Sequence, residues 1–413
     1  MLNKDNVREL AYVVKIDWIA PIEGADNIEL VGINGWTCIA KKGEFAEGDL
    51  AVYFEIDSKL PEDAEWASFM APKKFKVKTM KLGKFKVISQ GLALPASAFG
   101  WEMTTTGQFA GDAPIIKKSD GKYFAEGDFL TQELGVTYAS EEDNKRKANT
   151  GDKYKKMAQR HPKLFQKKLI RWLYKRMWGK KLLFVFFGKK KDKKDAWPYW
   201  VVKTDEERVE NMTWILKNKD TKWFATEKID GTSTTFTLRR GKMGKKEFYV
   251  CSRNVVFDTP EKGCYYDTNV YVEMEEKYNM RGVLETLLSE NPDLEFITLQ
   301  GETYGEGIQK RTYGLKGHDF MAFNLIYGHK DGTTERFNPK MMARILTNFE
   351  VPCVPILAES YVLPDTIEEL REFVNSEGSK VDGVIKEGIV FRNEDATQSF
   401  KCVSPEFLLK YHQ

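Results

Sequence analysis

From about Glu141 to Lys194 the chain shifts in composition, with basic runs such as NKRKANTGDKYKK and GKKKDKKD. A chain of 413 residues exceeds what one hydrophobic core usually serves, so this segment reads as a connector between two domains, each with its own core. The first region, from Tyr12 to about Ala98, is a series of short β-type runs: AYVVKIDWI, IELVGI, WTCIAKK, LAVYFEI, FKVKTMKL and KVISQGLAL. Gly24, Gly35, Gly43, Gly48 and Gly83 punctuate it. Strands at this spacing predict a small barrel or sandwich. From Trp197 onward, strand-like runs (KWFATEKI, STTFTLRR, EFITLQGE, HDFMAFNLIYG, GVIKEGIVFR, QSFKCVS) alternate with helical ones (VYVEMEEKYNMRGVLETLLS, PKMMARILTNF, TIEELREFVNS). That pattern predicts an α+β domain whose antiparallel sheet is large enough to hold a ligand cleft.

Within the connector, HPKLFQKKLIRWLYKRMW sets Leu164, Phe165, Leu169, Ile170, Leu173 and Met177 at helical spacing with cationic residues on the other face. Such a helix can dock on the neighbouring domain, on nucleic acid or on a membrane. LLFVFF at 182–187 is too short to span a bilayer and reads as a buried strand or helix end.

The 64 Lys and Arg against 61 Asp and Glu leave a net charge of +3, so clustering, not total charge, bears on a polyanionic partner. Lys74, Lys76 and Lys78 alternate with Phe75 and Val77, and Lys81, Lys84 and Lys86 follow. If 75–82 is one strand, it has a basic and an apolar face. An edge strand guarded by lysines and a surface that tracks phosphates both fit. Trp36 and Trp66 could stack on bases or fill the core. Five scattered cysteines without a Cys-x-x-Cys pair and only four histidines argue against a zinc site or disulfide framework. Neither a signal-type amino terminus nor a bilayer-length apolar run is evident, so the expectation is a reduced, cytoplasmic protein with no membrane association and no obligate protein partner.

The most informative segment is TEKIDGTSTTF, containing Lys228, Asp230 and Gly231. In a strand, residues i and i+2 share a side, so Lys228 and Asp230 can enter one cleft while Gly231 permits a turn. A Lys-x-Asp-Gly match alone arises by chance in roughly one chain of this length in ten. Further segments follow in order, however: Ser252-Arg253-Asn254, Gln300-Gly301-Glu302, Phe323 in MAFNLIYG, Glu387-Gly388-Ile389-Val390 and Ser399-Phe400-Lys401-Cys402.

With these residues in place, the chain resembles the covalent nucleotidyltransferase superfamily of ligases and capping enzymes. The candidate barrel precedes Lys228, and IEGADNIELV, GWTCIAKKGEFAEGDLAVYFEIDSKLP, KTDEERVEN and GEGIQKRTYGLKGHDF resemble an RNA-ligase clade with an amino-terminal OB domain. The implied architecture is an OB-like β-barrel at 1–137, a basic connector at 138–196, and an antiparallel-sheet, ATP-grasp-like nucleotidyltransferase domain at 197–413.

The resemblance implies that Lys228 becomes covalently adenylated by ATP, with Mg2+ or Mn2+. A free lysine is an ammonium at neutral pH, so neighbouring cationic charge, a metal or burial has to lower its pKa. Asp230, Glu302 and Glu387 are the expected shell of a hydrated cation. By resemblance, Lys401 contacts the α-phosphate, Arg253 the ribose or incoming 5′-phosphate, Phe323 stacks on adenine, and Thr226 with Glu227 helps recognise the base. The final motif carries Ser399 where a paired lysine is common, so a second cation must come from elsewhere or Lys401 must suffice. The implied partner is RNA, or an RNA/DNA duplex containing a nick. A capping-type guanylyltransferase and an inactive nucleic-acid-binding module are the alternatives.

Overall fold

A computed structural model describes residues 1–3, 7–105, 113–138, 168–174, 176, 181–183, 197–203, 205–241, 245–253, 255–257 and 269–411. The amino-terminal part holds strands β1 (Ala11–Lys15), β2 (Trp18–Pro21), β3 (Ile28–Ile33), β4 (Trp36–Lys41), β5 (Leu50–Phe54), β6 (Ser58–Lys59), β7 (Met80–Leu82), β8 (Val87–Ser89), β9 (Leu92–Pro95), β10 (Glu102–Thr105), β11 (Pro114–Lys117), β12 (Tyr123–Phe124) and β13 (Thr137–Tyr138). Sheets β1-β5-β9 and β2-β3-β4 are its main pieces, and β4 packs against β8 and β9. Every residue of β5 is buried because the sheet has a core on each face. Leu50, Val52 and Phe54 enter one core with Val13 and Leu94, whereas Ala51 and Tyr53 enter the other with Tyr12, Trp36 and Ala93. Period-two alternation thus sends apolar side chains to both sides. Trp36 is fully buried and Trp66 stacks on Phe54, so both serve the core.

The run 74–82 departs from the expected single strand. Residues Glu65–Lys73 form a 3₁₀ helix, and Lys74 and Phe75 both adopt left-handed backbone angles (φ 53° and 58°), which breaks any extended run. Lys76 makes only an isolated bridge to Lys59, and a strand begins at Met80. The lysines therefore do not alternate along one pleated face. Lys81, Lys84 and Lys86 instead project from the β7–β8 hairpin as exposed side chains, and Lys74 is also exposed.

Of the expected connector helix, α1 spans Lys168–Tyr174; Leu164, Phe165, Met177 and 184–187 lie outside the described residues. No helix among the described residues is long and apolar enough to cross a membrane.

The carboxyl-terminal part has two sheets. Strands β14 (Glu207–Arg208), β15 (Trp223–Lys228), β22 (Ile356–Tyr361), β23 (Gly388–Asn393) and β24 (Ser399–Val403) form one, in the order β14-β24-β23-β15-β22. Strands β16 (Thr232–Arg240), β17 (Lys246–Ser252), β18 (Val256–Phe257), β19 (Leu294–Gly305), β20 (His318–His329) and β21 (Thr334–Arg336) form the other, in the order β18-β17-β16-β19-β20-β21. All pairings are antiparallel except β14 with β24. The six-stranded sheet buries Phe236, Leu238, Ile297 and Leu325 against α2 (Val270–Tyr278), α3 (Met280–Glu290) and α4 (Pro339–Thr347). The helical run expected over 270–289 divides at Asn279, whose left-handed φ of 47° ends the first segment. Helix α5 (Ile367–Asn375) starts with a capping box from Thr366 and Glu369 and covers the five-stranded sheet. Helix α6 (Pro405–Tyr411) closes the described chain.

Segment 205–211 fastens the two parts together. Asn211 Nδ2 donates to Glu55 Oε1 (2.8 Å) and Glu207 Oε1 (2.9 Å), and its Oδ1 accepts from the Trp36 indole (2.7 Å). Arg371 donates to Gln90 (3.1 Å) and Glu210 (2.9 Å). Glu55 is 1% exposed and pairs with Arg8 at 3.0 Å and with the Met1 ammonium. Burial alone would raise its pKa, but the Met1 ammonium, Arg8 and Arg208 outweigh that and bring it down to about 2. A depressed carboxylate stabilises the fold above its unfolded pKa and loses that contribution as pH falls through the folded value. Glu55→Gln should therefore cost roughly 3–5 kcal/mol at pH 7, the order seen for breaking a buried pair. In urea unfolding the gap to wild type should narrow between about pH 4.5 and pH 2; a constant gap would disprove the assignment.

Candidate functional site

Lys228 is the last residue of β15 and Thr232 the first of β16, so Ile229, Asp230 and Gly231 carry the chain from one sheet into the other. The amine therefore sits where the two sheets meet. Register fixes its neighbours. Lys228 pairs with Gly388, which brings the preceding Glu387 alongside it, and Lys228 Nζ lies 2.7 Å from Glu387 Oε1. Ser233 pairs with Glu302 on β19, which brings a third carboxylate from the opposite sheet. The Asp230 amide donates to Tyr313 Oη at 2.7 Å and Gln309 Nε2 to the Gly231 carbonyl at 3.2 Å, which fixes the crossing. Gly231 is required for clearance, not for a left-handed turn: a Cβ there would meet the Thr303 carbonyl oxygen at 2.3 Å. A Cβ at Gly388 would meet the Cys402 carbonyl oxygen at 2.4 Å.

The electrostatics of this amine differ from the expectation that cationic neighbours lower its pKa. Burial alone would lower it, but Glu387, Glu302 and Asp230 prevail and hold it above the ordinary lysine value. The protein by itself keeps Lys228 an ammonium. The acids show the complementary effect. Burial, reinforced by Glu387 and Asp230, pushes Glu302 up to about 8 despite Lys228 and Arg253. Three acids around one amine are short of positive charge, and a divalent cation meets that need. Among the described residues, no three acidic, histidine or cysteine side chains converge closely enough to ligate an ion directly. An ion that keeps its waters, as Mg2+ tends to, needs fewer direct ligands than such a cluster would supply.

Lys401, on β24, is buried and its Nζ is 2.7 Å from Asp205 Oδ1. Asp205 Oδ2 accepts from Arg8 Nε and from Arg253 Nη2, each at 2.9 Å. Parallel pairing of β14 with β24 sets Arg208 beside Lys401. Burial, with Arg8, Arg208 and Lys228 nearby, lowers Lys401 to about 8 even though Asp205 opposes the shift. The cations beside Lys401 are thus arginines, with Ser399 in place of a second lysine. Ser399 itself hydrogen-bonds Glu206, which also binds Arg336 (2.9 Å) and Arg392 (3.3 Å).

Phe323 is partly buried with Ile229, Tyr304, Tyr313 and Val354, an apolar patch against the KIDG crossing. Thr226 Oγ1 donates to the Val390 carbonyl at 3.2 Å, within the sheet. Glu227, next to Lys228 and on the opposite side of the strand, spends its carboxylate on the Ser379 hydroxyl and the Lys380 amide. The structure thus groups Lys228, Asp230, Glu302 and Glu387, and beside them Lys401 and Arg253, but does not turn the Glu227 side chain toward them. Asn254 lies outside the described residues. Reasoning from sequence missed Arg8, Asp205 and Arg208. The signal available was the acidic run in KTDEERVEN, which composition reads as a solvated loop.

Comparison with known proteins adds the following. Residues 221–412 match the RNA ligase family and residues 10–96 match an OB-fold domain. Among solved structures, the RNA ligase of Naegleria gruberi with pyrophosphate is 26% identical, with a TM-score of 0.68 over 98% of this chain and 99% of that one. A lysine-to-alanine variant of it with ATP and Mn is 25% identical, with a TM-score of 0.67 and the same coverage. A glutamate-to-alanine variant with AMP and Mn is 26% identical, also with a TM-score of 0.67 and that coverage. No curated protein matches the sequence.

Because the Cys402 carbonyl faces Gly388 across the β23–β24 pair, Gly388→Ala should lower unfolding free energy by roughly 1–3 kcal/mol. An unchanged urea midpoint would show that the clearance is not needed.

Proposed function

We propose, from the premise that this chain is an RNA ligase carrying an amino-terminal OB-fold domain, that it uses ATP to seal 3′-hydroxyl/5′-phosphate breaks, specifically nicks in duplexes, through an adenylate on Lys228. The observation that carries the reading is the Lys228 amine, 2.7 Å from Glu387 and under the influence of Glu302 and Asp230, at the junction of two sheets with Lys401 and Arg253 nearby. In the first step the Lys228 nitrogen attacks the α-phosphorus of ATP; a P–N bond forms and pyrophosphate leaves. Glu387 is the nearest acceptor for the proton the amine must shed. Asp230, Glu302 and Glu387 would hold Mg2+ or Mn2+ through water, and the ion would supply positive charge that offsets these carboxylates beside the amine. Lys401, with the arginines beside it, stabilises charge growing on the phosphate oxygens. AMP then passes from Lys228 to a 5′-phosphate, and a 3′-hydroxyl displaces it as the phosphodiester forms.

Phe323 and its apolar neighbours offer a face for adenine. The exposed Lys74, Lys81, Lys84 and Lys86, with Lys76 and Lys78 behind them, grip the duplex backbone. The working division is a barrel at 1–137, a connector at 138–196 and the catalytic domain at 197–413, acting in the cytoplasm.

Radiolabelled ATP with Mg2+ or Mn2+ should label the wild-type protein and leave Lys228→Ala at background, whereas labelled GTP should not label either. A GMP adduct would favour the capping reaction, and label on Lys228→Ala would remove the proposed nucleophile. Replacing Lys81, Lys84 and Lys86 by alanine should reduce nick sealing and flatten the salt dependence of duplex binding by roughly two to three units in log–log slope. An unchanged slope would exclude the hairpin from the duplex contact.

A further inference from the structure

The mechanism above leaves Asp205 without a role. It is the sole ion-pair partner of both Lys401 and Arg253 among the described residues, and it is also held by Arg8 from the amino-terminal part. One carboxylate therefore satisfies three cations, two of which the reaction needs for phosphate. Beside them, Arg208 is 7% exposed, and its Nη1 is buried with no hydrogen-bond partner among the described residues. A buried guanidinium donor left open costs free energy unless an acceptor arrives. The shape and charge wanted are those of a tetrahedral oxyanion, which offers more acceptor oxygens than a carboxylate. Asp205 also lies in no strand or helix, two residues ahead of β14, so its withdrawal need not break a sheet ladder.

We propose that the Asp205 carboxylate is a displaceable stand-in for a substrate phosphate, and that the phosphate it yields to is bound by Lys401, Arg253 and Arg208 together with Arg8, supplied across the domain boundary. Arg8 is thereby a phosphate-binding residue, and Asp205 a competitor that keeps the cations gathered until the substrate displaces it. The inference rests on the ligase reading above. It deepens that reading by naming a ligand group outside the nucleotidyltransferase domain.

The phosphate could belong to ATP or to the 5′ end of the nicked strand, and two binding arms separate them. Wild type and Asp205→Asn, stripped of AMP with pyrophosphate, are titrated with an ATP analogue carrying a methylene between the α- and β-phosphorus atoms. The same proteins, pre-adenylated, are titrated with a 5′-phosphorylated nicked duplex. Asn keeps the shape but not the charge, so at least threefold tighter binding is expected in the arm whose phosphate replaces Asp205. Arg8→Gln should weaken that same arm at least tenfold. Binding by Asp205→Asn that is unchanged or weaker in both arms would overturn the proposal, since a purely structural Asp205 predicts weakening. Should Asp205→Asn fail to fold, a wild-type structure with the analogue and another with the nicked duplex decide: in one of them a phosphate oxygen should lie on Lys401 Nζ with Asp205 withdrawn. Asp205 still on Lys401 in both is the contrary result. Adduct formation on wild-type Lys228 is read in the same preparations, so failure of the ligase reading appears there, independently of how Asp205→Asn binds.

Discussion

Charge buried between the two halves of the molecule is what the remainder of the structure is arranged around. Asp205, Glu206 and Glu207 are consecutive, yet each serves a different set of donors: the cations Arg8, Arg253 and Lys401 for the first, the cations Arg336 and Arg392 for the second, and Arg8 with the neutral Asn211 amide for the third. Burying such groups is unfavourable unless each is paired and hydrogen-bonded. Their pairing therefore dictates where β14 lies, and through it the position of the barrel over the catalytic sheets. The same constraint places Arg208 beside Lys401 by strand register.

At Lys228 the logic is reversed. Glu387, Glu302 and Asp230 stabilise the charged, unreactive form of Lys228. Reactivity then depends on what joins the site, and in the ligase reading it comes only when a cation accompanies the nucleotide.

Much of this was legible in the chain. Period-two runs located the strands because those strands are buried on one or both faces, and the ordered motifs identified Lys228, Asp230, Glu302, Glu387 and Lys401, which the register of four strands then gathers. The failures have physical causes. At 74–75, two left-handed residues break an extended run, and neither is a glycine that would have signalled it. At Asn279 a left-handed cap splits what periodicity reads as one helix. The rise in Lys228 basicity was missed because the two largest contributors, Glu387 and Glu302, lie more than seventy positions away, and Asp205 because an acidic run reads as surface unless the cations that bury it are known. Gly231 was rightly singled out, but its reason is a carbonyl from another strand, which no local pattern contains.

The Trp36 indole has a further consequence. Its N–H is satisfied by Asn211, a side chain of the other half, which Glu55 and Glu207 hold in turn. Recombining either half with an unrelated partner would therefore break a specific set of bonds. The indole N–H would pass to water, and Asp205 would lose the Arg8 counterion that the amino-terminal part supplies. A new partner would have to offer matching donors and charges on its own surface to restore them.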